Sequence, residues 1–248
     1  MSLSIPQKVA WRRYIDRDPF FSSSRKSKRL TSFLKKIQDL SISYEIINLH
    51  EEKDFYEWFT TCYATMLNSK TAPLKFDVTS YTLYDGQQIA PKCALLLMEN
   101  GVRIGATIFF VMKKSLNIAF KTYPTNWEIN QSLQIGPSLY SEYLLYEHAR
   151  QCRREFISSG VDRNMYGLHA DIGLASFKFS AGYNPRMVAN PEYIEIDQST
   201  IKTDTLVFLA DTDEAGFITK AKLFANDFEQ YTMLLKSGKN VEIDTVKL

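Results

Sequence analysis

The sequence is short of the residues that most often announce chemistry. Three cysteines, Cys62, Cys93 and Cys152, are odd in number and scattered. They fit a reducing cytoplasm better than a disulfide framework and match no zinc-ligand spacing, so no metal is expected. Histidine occurs only at His50, His148 and His169. No apolar run reaches the roughly 18 residues of a membrane-spanning helix, and the first residues lack the apolar core of a secretory leader. With the unpaired cysteines, these absences lead to an expected cytoplasmic location. The net charge of +2 creates no global field that would draw nucleic acid. Internal repeats and low-complexity tracts are also missing.

What is present is an ordinary core-forming composition, 45% hydrophobic in 248 residues. That length fits one large domain or two small ones; the reading taken here is a single domain over 1–248. Its core spans about 25–196, and 200–248 form a carboxyl-terminal addition.

The clearest strand pattern runs from Lys92 to Tyr123. Lys92 to Met98, Val102 to Met112 and Leu116 to Tyr123 read as three antiparallel strands. They are separated by Glu99-Asn100-Gly101 and Lys113-Lys114-Ser115. Asn-Gly between apolar runs marks a hairpin because both turn positions need positive φ. Upstream, residues 1–24 read as irregular, with Trp11, Tyr14, Phe20 and Phe21 as packing anchors. Ser24 to Leu40 reads as a helix, Ser41 to Leu49 as a first strand, and Glu51 to Leu67 as a helix burying Phe55, Trp58, Phe59, Cys62, Tyr63 and Met66. Val78 to Tyr84 reads as either helix or strand, ending in the Asp85-Gly86 turn.

Gly136 to Arg186 carries the most information. Pro137 followed by Ser138 suits a helix start with Ser138 as N-cap. Leu145, Ala149, Cys152 and Phe156 form a helical stripe, and Gly160 is the expected stop. A strand is expected from Met165 to His169. Asp171 then caps a helix through Leu174, Phe177 and Ala181, and Gly182 ends it in a left-handed turn. Further on, Glu192 to Ile196 and Thr205 to Leu209 read as strands. Glu214 to Leu235 reads as a helix whose Phe217, Phe224, Phe228 and Met233 need a surface to cover, within the domain or in an oligomer.

The run Leu174-Ala175-Ser176-Phe177-Lys178-Phe179-Ser180-Ala181-Gly182-Tyr183-Asn184-Pro185 resembles the end of the GNAT acyltransferase fold. It is most similar to the Fem-type branch of peptidoglycan aminoacyl transferases, whose members often carry a Phe-Lys pair shortly before a Gly-aromatic. The helix opened by Gly136-Pro137-Ser138 and the hairpin Asn100-Gly101-Val102-Arg103-Ile104-Gly105-Ala106 resemble that fold as well. The resemblance covers about residues 25–195. It implies an α/β (α+β) fold with a mixed, largely antiparallel central sheet flanked by helices, and transfer of an acyl or aminoacyl group to an amine.

In that fold, backbone amides at the start of the long helix hold the donor's phosphates, as helix N-termini favour anions. Here the corresponding loop is Gln131 to Ser138. It keeps Gly136 but lacks the second glycine, and Pro137 removes an amide donor. The departure weighs against acyl-coenzyme A and fits an aminoacyl-tRNA donor. Gln134, Gly136 and Ser138 are therefore the candidate donor-binding residues. The resemblance places Lys178 where many GNAT enzymes carry a tyrosine; it can stabilise an anionic intermediate or lie as an exposed helix lysine. His169, an imidazole titrating near neutrality, can deprotonate the amine or serve structure alone. Glu142 is the third catalytic candidate. Tyr123, Trp127 and Tyr183 are candidates for lining the acceptor site. The basic face over 25–36 reads either as a solvated helix face or as a contact for tRNA phosphates. The alternative function is a GNAT-fold protein that binds a ligand or partner without turnover.

Overall fold

Two stretches in which apolar side chains run almost without alternation, Lys92–Glu99 and Val102–Val111, become strands buried on both faces. Continuous apolar runs are what a doubly covered strand requires. They belong to a computed structural model that describes residues 2–16, 31, 32, 34, 35, 42–50, 52–68, 77–123 and 137–248. In chain order the strands are β1 (Ser2–Pro6), β2 (Lys8–Tyr14), β3 (Ile42–Asn48), β4 (Tyr84–Asp85), β5 (Gln88–Ile89), β6 (Lys92–Glu99), β7 (Val102–Val111), β8 (Ser115–Thr122), β9 (Phe156–Arg163), β10 (Asn184–Met187), β11 (Tyr193–Asp197), β12 (Thr205–Phe208), β13 (Lys220–Ala225) and β14 (Glu242–Lys247). The helices described over their full extent are α1 (Lys53–Asn68), α2 (Pro137–Gln151), α3 (Ile172–Ser180) and α4 (Thr232–Ser237). The fold is mixed α/β, with largely antiparallel sheet flanked by helices, as expected.

The chain forms two compact units, Tyr14–Ile157 and Met1–Arg13 with Ser158–Leu248. In the first, the strands lie in the order β8-β7-β6-β3, all antiparallel. The expected meander is therefore present. Asn100 and Gly101 take φ of 51° and 79°, the left-handed pair that a two-residue hairpin needs. One sheet face presents Ala94, Leu96, Ala106, Ile108 and Phe120 to Phe55 and Phe59 of α1, all in one buried cluster. Burying a phenylalanine contributes about 1.5–3 kcal/mol, so these two rings fix α1 on the sheet. The opposite face carries Thr107, Phe109 and Lys121, which meet Ser141, His148 and Glu142 of α2.

In the other unit, β10-β2-β9 are neighbours in one sheet, and β1 pairs antiparallel with β11. A third sheet joins β12 to β13 antiparallel and β13 to β14 parallel. Trp11 is fully buried. Its indole packs edge-on against Tyr166, Phe179 and Phe208 at centroid distances of 6.4, 5.1 and 5.6 Å.

Several expectations are corrected. Residues 2–14 form two strands where the sequence suggests an irregular segment, and β3 is consequently the third strand among the described residues. The long helix stops at Gln151. Arg153, at φ 53°, turns the chain, so Phe156 and Ile157 belong to β9. Ser138 lies inside the first turn of α2 and not at its cap, because Pro137, with its preset φ, is already helical. Met165 to His169 is a turn with two isolated bridges at Tyr166, to Ala170 and to Leu206. Val78 to Ser80 is a turn, followed by the small β4–β5 hairpin. Glu214 to Leu235 is not a helix: β13 runs through it, Phe224 is buried in the strand, and α4 is short, leaving Met233 63% exposed. The helix α3 does follow expectation, with Asp171 accepting from the Gly173 amide and Gly182 at φ 87°. Of the helix expected over Ser24 to Leu40, residues 31, 32, 34 and 35 are described and helical; the rest of it lies outside the described residues, as do Phe20 and Phe21.

Candidate functional site

Three polar arrangements stand out, each inside one unit. The first is buried under α2. Lys121 on β8 and Glu142 on α2 form an ion pair, with Glu142 fully buried and the Lys121 side chain 18% exposed. Beside it, the Tyr123 hydroxyl shares a hydrogen bond of 2.8 Å with Thr107 Oγ1. Thr107 donates to Ser141 Oγ at 3.4 Å, and Ser141 donates to the Ser138 carbonyl at 2.8 Å. A relay of hydroxyls thus ends on the first turn of α2. Burial raises the Tyr123 phenol far above its ordinary range, against the lowering effect of these hydrogen bonds. Tyr123 is consequently a neutral donor at physiological pH. Gly105 lies under its ring: a Cβ there would stand 2.3 Å from Tyr123 Cδ1.

The second arrangement surrounds Lys178 on α3. Its Nζ donates to Asp162 Oδ2 at 2.7 Å and to the Ser159 carbonyl at 2.8 Å, and lies 5.5 Å from the Trp11 ring centroid. Tyr166 donates to the same Asp162 oxygen at 2.7 Å and accepts from Trp11 Nε1 at 2.8 Å. Burial, and then the Asp162 carboxylate, push the Tyr166 phenol well above its usual range. Lys178 is only 4% exposed, so the reading as an exposed helix lysine is set aside.

The third is an open groove of about 1300 Å³ formed by α1, the β4–β5 hairpin and the start of β6. Tyr56, Tyr81, Ile89, Pro91 and Phe110 supply its apolar wall, and His50, Lys53 and Lys92 its nitrogens. Lys92 Nζ donates to the carbonyls of Val78 at 2.6 Å and Thr79 at 3.2 Å, and lies 4.9 Å from the Tyr56 ring centroid. Burial holds its pKa below the usual lysine range, with Asp77 opposing.

The residues expected from sequence are thus distributed. Glu142, Tyr123 and Ser138 come together around α2. Tyr183 is buried, with the Arg13 guanidinium 5.3 Å above its ring. His169 stands in an exposed turn, its amide bonded to the Met165 carbonyl at 2.9 Å. Trp127, Gln134 and Gly136 lie outside the described residues. Sequence reasoning missed Asp162, Thr107, Ser141, Lys121 and Lys92. The alternation of β8 could have placed Lys121 on the α2 face; the others act through partners distant in the chain. Among the described residues, no group of three or more His, Cys, Asp or Glu is placed to hold a metal, and no helix is long and apolar enough to cross a membrane.

No family model matches the sequence, and no curated protein matches it. Solved structures do. The chain is similar to L-PGS from Bacillus licheniformis, with 13% identity and a TM-score of 0.52 over 81% of this chain and 63% of that one. A second match is the C-terminal domain of a putative lysylphosphatidylglycerol synthetase from Agrobacterium fabrum, with 10% identity and a TM-score of 0.49 over 80% and 62% of the two chains. This chain therefore spans less than two thirds of either solved chain. The likeness to the Bacillus protein is a shared fold.

Proposed function

We propose that the chain is an aminoacyl- or acyltransferase of GNAT type, closest to the Fem-type branch. Its donor is an aminoacyl-tRNA ester or an acyl-coenzyme A thioester, and its acceptor an amine. The observation that supports this reading is the fold shared with L-PGS of Bacillus licheniformis over 81% of the chain. A lysylphosphatidylglycerol synthetase, by its name, joins a lysyl group to a lipid, so a lipid head group is the second acceptor to test.

In such a transfer the acceptor's lone pair attacks the donor carbonyl and an oxyanion forms; as it collapses, the ribose alkoxide or the thiolate leaves and takes up the proton that the acceptor loses. First-turn amides of a helix have no acceptor within the helix. Pro137 has none to give, so the row begins at Ser138, whose carbonyl the hydroxyl relay holds from below. We assign Ser138, with Gln134 and Gly136, to the donor, and Trp127 to the acceptor side. Tyr123 and Glu142 support α2. Taken by itself, the unit that carries α3 offers Lys178 as a fixed positive charge of the kind an oxyanion needs. His169, exposed, supplies a base, and Tyr183 supports the end of α3.

The test is a transfer assay with labelled lysyl-tRNA, other aminoacyl-tRNAs and acetyl-coenzyme A, offered to soluble amines and to phosphatidylglycerol in detergent, with products identified by mass spectrometry. Donor-dependent product that is lost in Lys178→Met supports the enzyme. Absence of product with every donor refutes it. A second reading, ligand binding without turnover, is favoured by one observation: the charges of Lys178 and Glu142 are already committed to buried ion pairs. Donor binding without product would assign that role.

A further inference from the structure

We infer that the groove formed by α1, the β4–β5 hairpin and the start of β6 binds an anionic amphiphile, a carboxylate or phosphate on an apolar body, with Lys92 as its charge partner. The inference goes beyond the transferase reading and does not depend on it, since every residue used lies between 48 and 110.

Lys92 Nζ lies 4.9 and 5.9 Å from the ring centroids of Tyr56 and Phe110, and both rings line the groove. It donates to the carbonyls of Val78 and Thr79. An ammonium has three protons to donate, and these two acceptors are neutral. No carboxylate lies within ion-pair distance of Lys92 among the described residues. Asp77 is near, but its oxygens accept from the Thr79 and Ser80 amides and from the Ser80 hydroxyl. Glu57, the one acid in the groove wall among the described residues, faces Lys53 at 3.8 Å. A cation partly withdrawn from water, with Asp77 near but no carboxylate at ion-pair distance among the described residues, attracts an anion from a ligand.

The wall determines what the anion is carried on. Tyr81, Ile89, Pro91 and Phe110 form an apolar lining, and Ile89 is 61% exposed at the lip. A volume of about 1300 Å³ greatly exceeds a lone phosphate or carboxylate and leaves room for a chain. Burial depresses the Lys92 pKa, and an arriving anion opposes that effect.

The experiment is calorimetric titration of the full chain at pH 7 with decanoate, decanol and decyltrimethylammonium. Decanoate is expected to bind at least about tenfold more tightly than decanol, the contribution of one charge-assisted hydrogen bond, and the cation no better than decanol. Lys92→Met reduces decanoate affinity to that of decanol and leaves decanol unchanged. Thr60→Glu, an exposed wall position that leaves the Lys92 contacts in place, weakens decanoate alone. Equal binding of decanoate and decanol by the unaltered chain overturns the inference, as does unchanged decanoate affinity in both variants. Competition by phosphatidylglycerol vesicles identifies a membrane source, and competition by monomeric decyl phosphate alone a soluble one. Both outcomes support the site, and competition by neither overturns it.

Discussion

Replacing Lys178 by methionine removes a buried cation and little volume, which makes it the sharpest probe of how the α3 region is held. Its partner oxygen is 2.7 Å away, and the two side chains are only 5% and 16% exposed. Removing one member of a buried pair typically costs about 3–5 kcal/mol, because the other charge is left without compensation. Tyr166 still donates to Asp162, so the lower end, about 3 kcal/mol, is expected here. In a chain of this length 1 kcal/mol shifts the melting temperature by about 2–4 °C; Lys178→Met should therefore melt about 6–12 °C lower. Adding Asp162→Asn removes the stranded charge but keeps an acceptor for Tyr166. The double variant should melt within about 4 °C of the unaltered protein, a coupling far from additive. Thermal unfolding at neutral pH followed by circular dichroism reads both. A single variant within 2 °C of the starting protein, or a double variant as unstable as the summed singles, would falsify the reasoning. The same pair separates structure from chemistry. If the ammonium acts on a substrate, the double variant is folded and inactive; if it only holds Asp162, activity returns with stability.

Gly105→Ala should destabilise by about 2–3 kcal/mol, since the new methyl overlaps the Tyr123 ring and Thr122 O and the core must shift; denaturant unfolding measures it, and a neutral effect would mean the ring is elsewhere. Gly101→Ala should cost about 1 kcal/mol, through its φ of 79° alone, because nothing lies within 4 Å of the added carbon. Ultraviolet titration of Tyr123→Phe should match the starting protein up to about pH 11, where an ordinary tyrosine near 10 would already have ionised. His148 gives a pH signature. Burial, and secondarily Arg154, hold its folded pKa below the unfolded value of about 6.5. The unfolded chain therefore binds the extra proton as pH falls below about 6.5, and stability declines from there down to the folded pKa. His148→Gln should flatten that decline; an unchanged slope assigns it to other groups.

The meander was legible because strands covered on both faces write their burial directly into unbroken apolar runs, and Asn100-Gly101 marks its own turn. The same holds for α3, bracketed by Asp171 and Gly182. Elsewhere the pattern misled for identifiable reasons. Cys152 and Phe156 continue the i+4 spacing of α2, yet the chain turns at Arg153, a residue whose type does not advertise positive φ. Phe217, Ala221 and Phe224 mimic a helical stripe, but the strand pairing of β13 to β12 and β14 overrides it. The first strands were hidden by Arg13, a fully buried charge in β2. For the sites, a motif could single out Lys178, but its pairing with Asp162 depends on how β9 lies along α3. Lys92 had no local signal, since what distinguishes it comes from a turn and a helix far from it in the chain.

The strand β2 finds its neighbour β10 only across most of the molecule's length, Trp11 opposite Pro185. During synthesis the ribosome must add about 170 further residues before that partner emerges, roughly 10–35 s at ordinary elongation rates. Through that interval Ile5, Val9 and Trp11 have no completed sheet to enter, while Tyr14–Ile157 can already fold behind them. A nascent chain of this design invites a holding chaperone over Ile5 to Trp11, and should respond to slowed translation by aggregating through that segment.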